Sequence, residues 1–142
     1  MTKAQGLGKK ARLHGQKTIG LLFEKGSSFT LFPFRVSWMV SDTRQAEAAE
    51  MGVAVPKRNF KRAVKRNLLK RRMREAYRKN RNEFCGELVK RGASVKMMIL
   101  FTAREPLEYK EIEGKIILTL QRLLKEYDAG KGRIRKENEP RG

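Results

Sequence analysis

Residues 61–79 read KRAVKRNLLKRRMREAYRK, and this segment predicts a helix with two opposed faces. At about 100° per residue, one face carries the polar side chains Asn67, Arg71, Arg74 and Arg78, with Lys70 beside them. A different face carries the apolar side chains Leu69, Met73, Ala76 and Tyr77. We therefore expect the helix to pack its apolar face on a sheet and to present its cations to solvent.

The charge of the chain is concentrated in and around this helix. The 142 residues include 34 Lys or Arg and 15 Asp or Glu, which gives a formal net charge of +19. Residues 56–81 alone hold 13 Lys or Arg against the single acid Glu75. Like charges at i and i+4 destabilise a helix, so the segment predicts a polyanionic partner. Nucleic acid is the first candidate and an anionic membrane surface the second.

The composition excludes several classes of protein. A single cysteine, Cys85, excludes a disulfide framework, and a single histidine, His14, leaves too few ligands for a structural zinc site. No apolar run approaches the roughly 18 residues needed to span a bilayer, so we expect a cytoplasmic protein without a membrane partner. Glu108, Glu111 and Glu113 suit a helix N-terminus, and the other acids are scattered. We therefore expect no catalytic and no metal-binding residue in this chain.

Periodicity predicts one small α+β domain over residues 12–128, between a flexible basic arm at 1–11 and a flexible tail at 129–142. We expect about four strands packed with three helices. The predicted helices cover residues 18–25, 61–79 and 106–127, the last with Pro106 at its first position. The predicted strands cover residues 34–40, 51–55 and 94–101.

The basic segment and its flanks resemble the protein subunit of bacterial ribonuclease P. The likeness rests on Arg66-Asn67, on Lys70-Arg71 and on the run from Arg74 to Tyr77. The preceding residues 52–58, GVAVPKR, and the later residues 99–104, ILFTAR, stand in the family's order. Leu68 departs from the pattern, because the family usually has its second arginine there, and Arg72 occupies a position that is often apolar.

The resemblance implies an α-β sandwich with a left-handed β-α-β crossover around the basic helix. It also implies an endoribonuclease in which a large RNA, with its magnesium ions, removes the 5′ leader of precursor tRNA. The protein would bind both the catalytic RNA and the leader. The implied RNA contacts are Arg66, Asn67, Lys70, Arg71 and Arg74, to which position and charge add Lys57, Arg58, Arg62, Lys65 and Arg78.

The resemblance further implies a leader cleft between the first helix and the sheet. The matching positions are Ile19, Phe23, Phe34 and Trp38. Aromatic side chains on a sheet can stack on single-stranded bases. Aromatic residues at period two are, however, commonly part of a core, and the exposure of Trp38 discriminates between the two interpretations.

Three other functions remain open from the residues alone. A ribosomal or other structural RNA-binding protein would share the charge but would not need a leader cleft. A DNA-binding regulator would place the basic helix in a major groove. A stand-alone nuclease would cleave without added RNA.

Overall fold

The computed structural model describes Arg12, Leu13 and residues 15–41 and 47–133. The predicted arm at 1–11 and residues 134–142 of the predicted tail lie outside these residues. Seven elements follow one another along the chain: α1 Gln16–Lys25, β1 Ser27–Leu31, β2 Phe34–Val40, β3 Ala49–Ala54, α2 Ala63–Lys90, β4 Val95–Phe101 and α3 Tyr109–Asp128. The predicted α+β class, with three helices and a four-stranded sheet, is confirmed.

The sheet is mixed, with the strand order β1-β2-β4-β3. β1 pairs antiparallel with β2, and β2 pairs antiparallel with β4. β3 and β4 are parallel neighbours, so α2, which lies between them in sequence, forms a β-α-β crossover. Its left-handed sense, which the resemblance implied, stays a prediction.

The two faces of the sheet carry different helices, because side chains alternate along each strand. Phe34, Val36 and Trp38 of β2 join the core that α2 and α3 cover. Met39 of β2 points to the other face, where it packs with Leu22 of α1 in a smaller cluster. The cation-bearing helix α2 and the first helix α1 therefore lie on opposite sides of the sheet.

Two helix boundaries differ from the prediction by three residues or more. α2 continues to Lys90, beyond the expected end at residue 79, because Phe84 and Leu88 extend its buried stripe. α3 begins at Tyr109 rather than at Pro106, because the backbone of Glu108 is still extended, with φ −71° and ψ 158°. No helix in the described residues is both long and apolar enough to cross a bilayer.

Strand β1 was not predicted, because its sequence SSFTL is short and mostly polar. It lies at the edge of the sheet, where one row of backbone groups needs no partner strand. Its one buried side chain, Phe29, joins the main core, and this burial explains why so polar a segment forms a strand.

The start of the predicted flexible tail contacts the sheet. The backbone N–H of Val40 donates to the carbonyl of Gly132 at 2.6 Å, and the N–H of Gly132 donates to Ser27 Oγ at 2.9 Å. Gly132 has a φ of 88°, and a Cβ there would lie 2.2 Å from the Trp38 ring. Gly132 is thus hydrogen-bonded to β1 and β2 beside Trp38, within the segment that the sequence predicted as a flexible tail.

Candidate nucleic-acid interface

A run of cations without acids leads into α2 and covers its first three turns. Residues 57–74 contain ten Lys or Arg and no Asp or Glu. Within the described part of the chain, none of the ten forms an ion pair, and the first pair along α2 joins Arg78 to Glu75. This charge is therefore not neutralised by the protein's own described carboxylates.

The helix presents its cations as its periodicity predicted. The apolar residues Leu69, Met73, Ala76 and Tyr77 are buried against the core. The exposed members of the predicted RNA-binding set are Lys57, Arg58, Arg62, Lys65, Asn67 and Arg71. The half-buried members are Arg66, Lys70, Arg74 and Arg78. We call Asn67, Lys70, Arg71 and Arg74 the cation face, and Arg62 and Lys65 are further exposed cations at the start of α2.

Arg66 and Arg72 of α2 donate to backbone carbonyls outside the helix. Arg66 Nη1 donates to the carbonyl oxygens of Phe60 at 2.7 Å and Lys61 at 2.9 Å, which holds the loop before α2 against the helix. Arg72 Nη1 donates to the carbonyl of Leu107 at 2.6 Å and so ties α2 to the segment before α3. Leu68, the departure from the family pattern, is 38% exposed.

Arg74 and Arg78 differ in their electrostatic surroundings. Arg78 forms two hydrogen bonds to Glu75, from Nε at 2.9 Å and Nη2 at 2.8 Å, so its charge is balanced locally. Burial, and then the charge of Arg12, lower the pKa of Arg74. Arg12 forms an isolated parallel backbone bridge with Met51 of β3. Its guanidinium group adds one more positive charge near Arg74.

A polar pocket lies where α2 begins and β4 ends. It is lined by Arg58, Asn59, Thr102 and Arg104. The backbone N–H and Oγ1 of Thr102 both donate to the carbonyl of Pro33, at 2.7 and 3.0 Å, which fixes this end of β4 to the β1–β2 turn. Of the four lining residues, only Arg58 was predicted, because the others follow no periodic pattern.

A cleft of about 180 Å³ opens on the sheet face that carries α1. It is lined by Phe23, Gly26, Ser28, Arg35, Ser37 and Leu100. Gly26 lets the end of α1 approach the sheet, because a Cβ there would lie 2.8 Å from the carbonyl oxygen of Trp38 on β2, and 2.5 Å from that of Leu22 within α1. This close approach places Phe23, which is 54% exposed, at the side of the cleft.

The predicted leader cleft is wrong for two of its four residues. Phe34 and Trp38 are completely buried and belong to the core under α2 and α3. They lie on the opposite side of the sheet from the cleft, so neither can contact RNA in the folded protein. Phe23 lines the cleft, and Ile19 is half-buried beside the Leu22 and Met39 cluster.

Arg35 and Ser37 are the β2 residues that line the cleft, and neither was predicted. The alternation of β2 did separate them from Phe34 and Trp38. The error lay in assigning the aromatic face to the cleft, although the most apolar face of a strand normally faces the larger core.

The chain offers no recognisable metal centre among its described residues. No three His, Cys, Asp or Glu side chains come together there in a group that could hold a metal ion.

Comparison with known proteins gives a consistent result. The family model described as Ribonuclease P matches residues 7–127. The ribonuclease P protein components of two strains of Porphyromonas gingivalis are 32% and 31% identical over 118 residues, which is 83% of this chain and 86% of each relative.

Two solved structures share the fold. The RNase P protein of Staphylococcus aureus gives a TM-score of 0.66 at 17% identity, covering 81% of this chain and 96% of its own. The RNase P protein of Thermotoga maritima gives a TM-score of 0.61 at 21% identity, covering 78% of this chain and 96% of its own.

Proposed function

This chain belongs to the ribonuclease P protein family, and we propose that its cation face binds the catalytic RNA while its sheet cleft binds the 5′ leader of precursor tRNA. As the protein component, it is part of a ribonucleoprotein endoribonuclease that acts in tRNA 5′ maturation. The observation that carries this proposal is the run of ten cations, without an acid, at residues 57–74.

The cation face suits a folded RNA for reasons of charge and geometry. Guanidinium groups bind phosphate oxygens bidentately and remain charged at neutral pH. A helix fixes the spacing between Asn67, Arg71 and Arg74, so the array can match phosphates that a folded RNA also holds at fixed positions. Self-repulsion along the run is relieved when phosphates approach it, so binding is favoured by the same charges that destabilise the free helix.

Lys57 and Arg58 extend this surface toward the cleft. Arg58 lines the polar pocket with Arg104, and Thr102 of the same pocket follows Leu100 of the cleft by two residues. Residues two apart on an extended chain point to the same side and lie about 7 Å apart. A single RNA strand can therefore run from the cleft through the pocket to the start of α2.

The chemistry is assigned to the RNA partner. The described residues hold no group of three metal ligands, and the cation face contains no carboxylate that could act as a base. Magnesium, as implied by the family, would be held mainly by the RNA. The protein's contribution is to bind and orient the precursor and to favour it over the mature product.

Reconstitution tests the proposal. Purified protein, a bacterial ribonuclease P RNA, precursor tRNA and magnesium are combined, and each component is omitted in turn. We expect no cleavage without the RNA, and we expect the protein to increase the affinity for precursor tRNA more than that for mature tRNA. Cleavage by the protein alone would show a stand-alone nuclease. An equal gain for precursor and mature tRNA would favour a structural RNA-binding protein.

A further inference from the structure

Arg35 places a guanidinium group in the cleft that α1 forms with the sheet. It lies on β2 between Thr30 of β1 and Leu100 of β4, and its side chain is exposed. Within residues 15–41 and 47–133 it has neither an ion pair nor a hydrogen bond from its side chain. A charged donor group is thus available to a ligand beside the exposed ring of Phe23.

We propose that this cleft holds one base of the leader RNA and selects guanine, with Phe23 stacking on the base and Arg35 donating to its O6 and N7. The proposal rests on the leader-binding function above and goes further by assigning base specificity. The partner is a single-stranded segment, because only an unstacked base can enter between α1 and the sheet.

The lining of the cleft favours a base over a phosphate alone. Phosphate needs donors only, whereas this cleft combines donors with an aromatic ring and the apolar side chain of Leu100. Its volume of about 180 Å³ lies below the roughly 300–1,000 Å³ of sites for drug-sized ligands. One nucleobase, rather than a larger ligand, suits a site of this size.

The chemistry of arginine favours guanine among the four bases. The guanidinium group has only donors, arranged as a rigid fork. Guanine presents two neighbouring acceptors, O6 and N7, and accepts both donors of the fork. On the same edge, adenine presents an amino donor beside N7, cytosine presents an amino donor in place of O6, and uracil presents the single acceptor O4, so none of them accepts both donors of the fork there.

The hydroxyl groups of Ser28 and Ser37 supply further polar contacts. The two residues are direct neighbours across β1 and β2, and both line the cleft. A serine hydroxyl can donate or accept, so these groups can bind ribose or a base edge without deciding which base enters. The discrimination is therefore assigned to Arg35.

The test uses the reconstituted ribonucleoprotein and precursor tRNAs that carry each of the four bases at one leader position at a time. Binding is measured for the wild type and for the Arg35→Lys and Arg35→Gln variants. At one leader position, we expect the wild type to bind the guanine substrate about tenfold more tightly than the others, as one bidentate contact provides. Arg35→Lys keeps the charge without the fork, so it should lose the preference while retaining most of the affinity.

Two matched variants serve as controls. Lys125→Gln removes one positive charge from an exposed residue of α3 and should leave the guanine preference intact. Phe32→Ala removes an aromatic ring that is 62% exposed but does not line the cleft, and it should leave binding unchanged. Phe23→Ala should weaken binding of every precursor by roughly five- to 150-fold, the worth of one stacked base.

The outcomes separate this proposal from the function on which it rests. A wild type that prefers precursor tRNA but ignores the leader base at every position overturns the guanine site and leaves the leader cleft standing. A guanine preference that survives in Arg35→Gln also overturns the assignment. A wild type that binds precursor and mature tRNA equally overturns both the leader cleft and the guanine site.

Discussion

Replacing Arg71 by alanine gives the most direct test of the cation face. Arg71 is exposed and, among the described residues, its side chain has no ion pair or hydrogen-bond partner. The substitution should therefore leave the free energy of unfolding almost unchanged. The effect belongs instead to RNA binding, where each phosphate contact releases counterions and adds about 0.7–0.9 to the slope of log K against log salt concentration.

The expected values follow from the number of contacts removed. Arg71→Ala should make the slope shallower by about 0.7–0.9, and the double variant Arg71→Ala/Arg74→Ala by about 1.4–1.8, if each side chain binds one phosphate. The assay is a titration of the catalytic RNA with protein at four or more potassium concentrations and at a constant magnesium concentration. Circular dichroism and thermal unfolding confirm that each variant is folded.

A charge-matched control is available on α3. Arg91 Nε donates to Asp128 Oδ1 at 2.8 Å, so the end of α3 lies beside the end of α2. Nineteen residues separate Arg71 from Lys90, which corresponds to about 28 Å of helix. Lys125→Ala removes one charge near that distant end and should not change the slope. An unchanged slope in the double variant, or an equal change in Lys125→Ala, would refute the phosphate contacts.

Two further predictions concern the core and the acid stability of the protein. Trp38→Ala should lower the free energy of unfolding by about 3–5 kcal/mol, measured with urea, without changing the ratio of precursor to mature tRNA affinity under conditions where the variant is folded. A changed ratio with unchanged stability would return Trp38 to the leader cleft. Arg91 hydrogen-bonds to Asp128 and Glu87 and lowers the pKa of both carboxyl groups. Because the folded pKa values are depressed, this stabilisation is present above about pH 4 and is lost as the pH falls through the folded values. The difference in melting temperature between the wild type and Arg91→Gln should therefore shrink from pH 7 to pH 2, and a constant difference would contradict it.

The cation face could be predicted because a helix has one strong period. Leu69, Met73 and Tyr77 identify the buried side, and the positions of Arg71 and Arg74 follow from about 100° per residue. No knowledge of the rest of the fold is needed for that step. The uses of Arg66 and Arg72 could not be predicted, because their acceptors are backbone carbonyls whose positions depend on the loops at residues 60–61 and 107.

The cleft could not be located in the same way, because a strand has two faces and its alternation does not say what covers each of them. Phe34 and Trp38 share one face and Arg35 and Ser37 the other, as the pattern of β2 indicated. Which face meets α1 depends on the packing of α1 through Leu22, a contact that the sequence of β2 does not contain.

Long-range contacts explain the remaining differences. Gly132 contacts Ser27, which lies 105 residues earlier in the sequence. No local pattern in the Gly- and charge-rich segment predicts that contact. Pro106 is compatible with the first turn of a helix, but it is equally compatible with the extended backbone that continues to Glu108. Proline limits φ in both cases, so Pro106 does not by itself fix the residue at which α3 begins.

The topology places the two surfaces of the proposed function close together. β3 and β4 are parallel, so their C-termini lie at the same end of the sheet. The loop after β3 supplies Arg58 and leads into α2, and the segment after β4 supplies Thr102 and Arg104. The polar pocket at this end of the sheet therefore lies between the cleft beside α1 and the cation face on α2. In the proposed function, a leader strand that reached the pocket would lie beside the surface proposed to bind the catalytic RNA, so the two binding sites would be adjacent.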